Sequence, residues 1–221
     1  MSSRPPRRLR WVLLCAAAMA VCATVVWAAV RKPSAAQPLP KLETGDLVFQ
    51  TTRGKLAAVI HAATLSKYTH VGVVVMRKGA PWILEASGPV GMTRFRRFVR
   101  RGVGGRYVVK RIKGGLTSIQ KRRLVRAGRK YLKRRYDATF RWSDKRMYCS
   151  ELVWKAYARG LKIRVGEPQT MGELYNVYNP IVRRFAKRAY GDHLPTKELI
   201  VTPVRMFDSK LLETIHVNTL L

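Results

Sequence analysis

The sequence predicts an α+β domain, an antiparallel sheet packed with helices, preceded by an N-terminal hydrophobic targeting helix. Three observations predict it. Strand-like segments fill the first half of the chain and helical patterns the second. The segment HVGVVVM (70–76) is an almost unbroken β-branched run, the pattern of a central strand covered on both faces. Residues 11–30 (WVLLCAAAMAVCATVVWAAV) carry no charge, and a run of about twenty apolar residues is long enough to cross a bilayer core.

Taken in order, DLVFQ (46–50) reads as the first strand, set off by Gly45, and 56–65 as a short helix. The central strand 70–76 and the strand 82–86 flank a turn at 77–80. Residues 93–99 set Phe95 and Val99 among arginines and read as a strand with a solvated face; 106–112 is a further strand ending at Gly114 and Gly115. Thr117 and Gln120 form a T-x-x-Q capping box opening a helix. Its apolar stripe is Leu124, Val125, Gly128, Tyr131 and Leu132. A second helix runs from Cys149 to about Ala158 and stops at Gly160; short helices follow near 170–176 and 181–190. A last strand at 199–202 leads through Pro203 into the tail LLETIHV.

The chain has 221 residues, which suits one domain (43–221) behind a terminal segment (1–32) and a Pro-rich linker (33–42). Arg4, Arg7, Arg8 and Arg10 precede the hydrophobic run, and Arg31 and Lys32 follow it. That arrangement fits an uncleaved anchor or a cleaved signal, and the asymmetry puts the N-terminus in the cytoplasm. The domain is then expected outside, in the periplasm or on the outer face of the membrane. Val21 argues against lipidation at Cys22.

The charge is unusual. Forty-four basic side chains stand against twelve acidic ones, a net +32. Residues 1–32 hold six of the basic groups and no acid, so the remainder carries 38 against 12. One cluster spans Arg94 to Arg111, the other Lys121 to Arg135. Attraction to anionic lipid or wall polymer, binding to nucleic acid, and a merely solvated face all fit such clusters. The targeting segment, and the lack of a nucleic-acid-binding motif, favour the envelope surface over nucleic acid.

Three residues carry candidate chemistry. Cys15 and Cys22 lie in the hydrophobic run, so Cys149 is the single thiol of the domain, with no disulfide partner and no zinc-type cluster. It opens a helix, where backbone N–H groups favour the thiolate that acyl transfer needs. It also falls on the core-facing stripe with Leu152, Val153 and Ala156, as a buried structural cysteine would. His70 opens the central strand, at the lip of a cleft or at a quiet edge. Glu85 interrupts an apolar run, which is costly for a carboxylate without a partner. An even-numbered turn between 70–76 and 82–86 puts Glu85 and His70 on one face as direct or diagonal neighbours; an odd turn or a bulge separates them.

The segments GDLVFQ (45–50), YTHVGVVV (68–75), ILEA (83–86), YCSELVWKAY (148–157) and VTPVRMFDS (201–209) resemble the YiiX-like branch of circularly permuted, papain-like NlpC-type amidases, in order across residues 43–217. The resemblance implies a permuted papain-like fold with the histidine and its acidic partner before the cysteine. It places the nucleophile at Cys149, the base at His70 and the third polar residue at Glu85. Tyr136 matches a tyrosine lining the site, a candidate oxyanion donor, and Asp46 is taken as structural. The implied reaction is acyl transfer on an envelope amide or an acyl lipid, without metal or organic cofactor, with hydrolase favoured over transferase. A non-catalytic basic module that binds anionic surfaces is the alternative.

Overall fold

Residues 70–76 show no apolar–polar alternation because both faces of their strand are covered. In the computed structural model, which describes residues 40–174 and 176–218, the main strands are β1 (Leu47–Gln50), β2 (His70–Arg77), β3 (Ala80–Ala86), β4 (Val90–Arg94) and β5 (Tyr107–Ile112). Short strands follow at β6 (Arg135–Tyr136), β7 (Arg146–Met147), β8 (Gln169–Thr170) and β9 (Leu199–Ile200), and β10 (Leu212–Asn218) comes last. Six of them form one sheet in the order β10–β5–β1–β2–β3–β4, with every pairing antiparallel. The helices are α1 (Lys55–Thr64), α2 (Phe95–Arg100), α3 (Ser118–Arg129), α4 (Cys149–Leu161), α5 (Pro180–Tyr190) and α6 (Pro203–Phe207).

Leu47, Phe49, Val71, Val73 and Leu84 face one side of the sheet and pack against Leu152, Val153 and Ala156 of α4. Val48, Val74, Ile83 and Val109 face the other and pack against Phe95 and Phe98 of α2. Asp46, structural by the family resemblance, braces the first strand. Its carboxylate accepts from Arg111 Nε at 2.7 Å and Nη2 at 2.9 Å, and from the Glu43 backbone N–H at 2.7 Å.

The β2–β3 hairpin closes on two residues, Lys78 and Gly79, with φ of 48° and 76°. Positive φ at both central positions gives the turn whose twist matches the strands. Arg77 then pairs with Ala80 and Val73 with Leu84. One step further along this register, Gly72 faces Glu85, so His70 and Glu85 are diagonal neighbours on one face. Gly72 has no room for a side chain: a Cβ there would lie 2.3 Å from Ile83 Cγ2 and 3.2 Å from Phe98 Cε2. Gly72→Val is expected to cost about 2 kcal/mol by overpacking, read as a lower denaturant midpoint with an unchanged slope.

The structure departs from the sequence reading at several elements, the tail that becomes β10 among them. Residues 93–99 were expected as a strand; the strand ends at Arg94 and α2 begins at Phe95. Phe95 and Phe98 lie three apart, so both face the sheet only in a helix. Gly160 does not stop α4, which runs on to Leu161; Gly160 is where α3 comes close, and a Cβ there would be 3.1 Å from Ala127 Cβ. Where a short helix was expected near 170–176, the described residues form a 3₁₀ turn, Met171–Glu173. The α3 capping box is present, with Gln120 N–H donating to Thr117 Oγ1 at 3.2 Å and Thr117 N–H to Gln120 Oε1 at 2.8 Å. Among the described residues no helix is long and apolar enough to cross a membrane; the hydrophobic run 11–30 lies outside them.

Within α4 a buried ion pair ties the helix to the segment before it. Lys155 donates to Glu151 Oε1 at 2.7 Å, to the Ser143 carbonyl at 2.7 Å and to Asp144 Oδ1 at 2.9 Å. Burial pushes the Glu151 carboxyl up to about 7, with Lys155 only partly offsetting it.

Candidate active site

Cys149 is the first residue of α4 and is buried, held there by the apolar stripe that continues through Leu152, Val153 and Ala156. Tyr148 enters the helix in an extended conformation, so the first-turn N–H groups point back toward the thiol. Burial pushes the thiol up, but the charge and hydrogen bond of His70 outweigh it, and the backbone N–H groups of Val71 and Ser150 add to them. The thiol ends below its ordinary value. Ser150 Oγ donates to the Val201 carbonyl at 2.8 Å and Val201 N–H to Tyr148 Oη at 3.2 Å, which fixes the start of the helix against the C-terminal part of the chain.

His70 is the first residue of β2 and is buried. Its Nε2 lies 2.7 Å from Glu85 Oε2, which leaves Nδ1 for Cys149. Burial pushes the imidazole down; the charge and hydrogen bond of Cys149, then those of Glu85, overcome this and raise it to about 9. Burial pushes the Glu85 carboxyl up, and His70, Thr93 and Arg101 reverse it to about 2. The three side chains therefore favour a thiolate, an imidazolium and a carboxylate in a row.

The segment expected as a solvated strand supplies the other supports. Phe98 of α2 packs its ring 5.5 Å from the His70 ring. Arg101, just past α2, donates to Glu85 Oε1 and, at 3.0 Å, to Ser87 Oγ. In the sequence Arg101 is one arginine among many and nothing marks it. Gln50 lies opposite His70 in the register, on the same face, with its buried amide making no hydrogen bond.

Tyr136 is held beside the nucleophile position by a two-residue parallel pairing of β6 with β7, Tyr136 opposite Met147, two residues before Cys149. Burial, then the charges of Cys149 and Asp137, push its phenol well above the ordinary value, so it remains a proton donor. All four residues singled out in the sequence thus converge.

Two spaces meet at this cluster. A narrow apolar crevice runs from Cys149 between α1, α5 and the segment 200–203, lined by Val59, Ile60, Ala63, Val182, Phe185 and Val201 among others. A wider, open cleft of about 500 Å³ begins at His70 and Tyr136 and is lined by Thr52, Arg53, Leu56, Thr69, Arg100 and Arg101. Ile60 borders both. The crevice was invisible in the sequence because its wall is assembled from widely separated segments.

A family model described as permuted papain-like amidase enzyme, YaeF/YiiX, C92 family, matches residues 41–216. The uncharacterized protein YiiX of Escherichia coli (strain K12) is 40% identical over 173 residues, covering 78% of this chain and 85% of that protein. A crystal structure of YiiX from Escherichia coli O157:H7, described as a metalloprotein, superposes with a TM-score of 0.77 at 41% identity, covering 80% of this chain and 97% of that one. The donor set at this site does not fit a metal centre. Among the described residues no three or more His, Cys, Asp or Glu gather as a ligand group, and Glu85 is engaged by His70 and Arg101. With a family match over most of its length and a relative at this identity, the chain belongs to the permuted papain-like amidase family of YaeF and YiiX.

Proposed function

We propose that this chain is an extracytoplasmic cysteine hydrolase that cleaves an amide or ester bond through a Cys149–His70–Glu85 relay. The observation that carries the proposal is the interlocked geometry of the three side chains: a thiol at a helix start, an imidazole beside it, and a carboxylate 2.7 Å from the far ring nitrogen. The Cys149 thiolate attacks the carbonyl carbon. The developing oxyanion takes hydrogen bonds from the Tyr136 hydroxyl and the Cys149 backbone N–H. His70 gives its proton to the leaving amine or alcohol, and an acyl-enzyme remains. Water, deprotonated by His70, then releases the acid and restores the thiol. Glu85 fixes the ring orientation and stabilises the imidazolium. The hydrophobic run before the domain supports the location outside the cytoplasm, and the basic surface supports work close to anionic lipid or wall polymer.

Between the two substrates the sequence allowed, the apolar crevice favours an acyl lipid over a wall peptide. A space that reaches Cys149 between Val59, Ile60, Val182 and Phe185 suits an alkyl chain, whereas the amide groups of a peptide would find few partners there. A thiol-directed electrophile tests the relay. On the peptide that carries position 149, wild-type protein is expected to label at pH 7, Cys149→Ala to stay blank, and His70→Ala to label only as pH approaches the ordinary thiol value. Labelling with an ordinary thiol titration, indifferent to His70→Ala, would leave a basic anionic-surface binder as the better account.

A further inference from the structure

We infer that the cleft beside His70 is a subsite for a phosphate carried on the leaving group, so that the bond cleaved joins an acyl chain to an anionic polar head. The inference rests on the reading of Cys149 and His70 as nucleophile and proton donor. Chemistry sets the direction. The acyl part stays on Cys149 and the leaving group takes its proton from His70, so acyl chain and leaving group lie on opposite sides of the cluster. The space on the Cys149 side is apolar. The space on the His70 side is lined by Arg53, Arg100 and Arg101 and by no carboxylate.

These arginines differ from those that serve the fold. Arg111 and Arg159 each hold a carboxylate, and Arg101 holds Glu85. Arg53 and Arg100 are exposed at the cleft with no acidic partner among the described residues. Two guanidinium groups free to fork onto oxygen atoms match a phosphate in both charge and geometry. The turn before α1 adds to the field, since Gly54 caps the helix without a side chain and its first turn holds no acid.

The test uses the full chain in neutral detergent micelles and two esters with one dodecanoyl chain, 1-acylglycerol 3-phosphate and 1-acylglycerol. The ratio of their kcat/KM values is compared for wild type, Arg53→Gln/Arg100→Gln, and Arg183→Gln/Arg188→Gln on the outer face of α5. Arg101 is left intact because it holds Glu85. The phosphate ester is expected to be favoured by roughly tenfold or more, the scale of one charge-assisted hydrogen bond. The cleft pair should bring that ratio toward one, mainly through KM, and the α5 pair should leave it in place. Calorimetry of glycerol 3-phosphate on Cys149→Ala protein, with and without the cleft substitutions, reads the subsite without turnover; binding that disappears with them is expected. An equal fall in the α5 pair, or no glycerol 3-phosphate binding, overturns the subsite while leaving the hydrolase standing. Glycerol 3-phosphate binding without any preference between the esters assigns the cleft to a soluble phosphate and overturns the leaving-group role. Binding with neither ester cleaved fails the hydrolase reading instead, and the inferred leaving-group role with it.

Discussion

Cys149→Ala is expected to abolish turnover, and His70→Ala to lower kcat/KM by about 10²–10⁴-fold, the range of a positioned acid–base group. The pH profile should separate this mechanism from one that uses a neutral thiol. With the thiol held below its ordinary value and the imidazole raised to about 9, the ionised pair is favoured over the neutral one. The rate of the wild type should therefore rise on the acid side as the pair forms and fall near pH 9, where His70 loses the proton the leaving group requires. Those limbs belong to the coupled pair rather than to either residue alone. The same shifts link folding to pH. Glu85, lowered to about 2 from 4.5, contributes stability in full above 4.5, and that contribution fades as pH falls toward 2. His70, raised to about 9 from 6.5, contributes in full below 6.5, and that contribution is lost as pH rises through 9. A profile with no acid limb and a steady climb through pH 9 would sink the ion-pair mechanism.

Lys155→Met is expected to be the most damaging substitution outside the reacting cluster, at about 3–5 kcal/mol, the cost of breaking a buried pair and leaving one charge behind. Lys155 and Glu151 are both almost wholly buried, at 1% and 0% exposure. Without the ammonium group Glu151 keeps only the backbone N–H groups of Ser143 at 3.2 Å and Tyr148 at 3.4 Å. The deficit should depend on pH. Burial already raises Glu151 to about 7, so the folded state holds this proton more tightly than the unfolded chain, and stability from this group falls as pH rises from 4.5 to 7. Removing Lys155 raises Glu151 further, so chemical denaturation should show a larger loss at pH 8 than at pH 5. An equal loss at both would mean that the lost packing of the lysine stem, and not the stranded carboxylate, dominates.

The grouping of Cys149, His70 and Glu85 was legible only in part. An even-numbered turn at Arg77-Lys78-Gly79-Ala80 put Glu85 and His70 on one face and an odd one did not, and Cys149 lay on an apolar helical stripe where a structural cysteine also fits. Tyr136 was reached only by resemblance. What stayed hidden depends on distant segments. The spacing of Phe95 and Phe98 was compatible with helix, yet the arginines around them read equally as the wet side of a strand. Arg101 gains its role only when α2 brings it to Glu85. The tail LLETIHV gave no sign that it would become β10, since its partner β5 lies about a hundred residues earlier and no turn connects them.

That last strand bears on how the protein behaves at high concentration. A sheet offers two borders at which unpaired backbone groups can recruit another chain. Here β10 occupies one border and carries an irregularity between Thr214 and His216, a kink that spoils a flat template. The other border, β4, is only five residues long and turns into a helix at Phe95. Strand-to-strand self-association, the first step toward fibrils, is thereby discouraged at both ends.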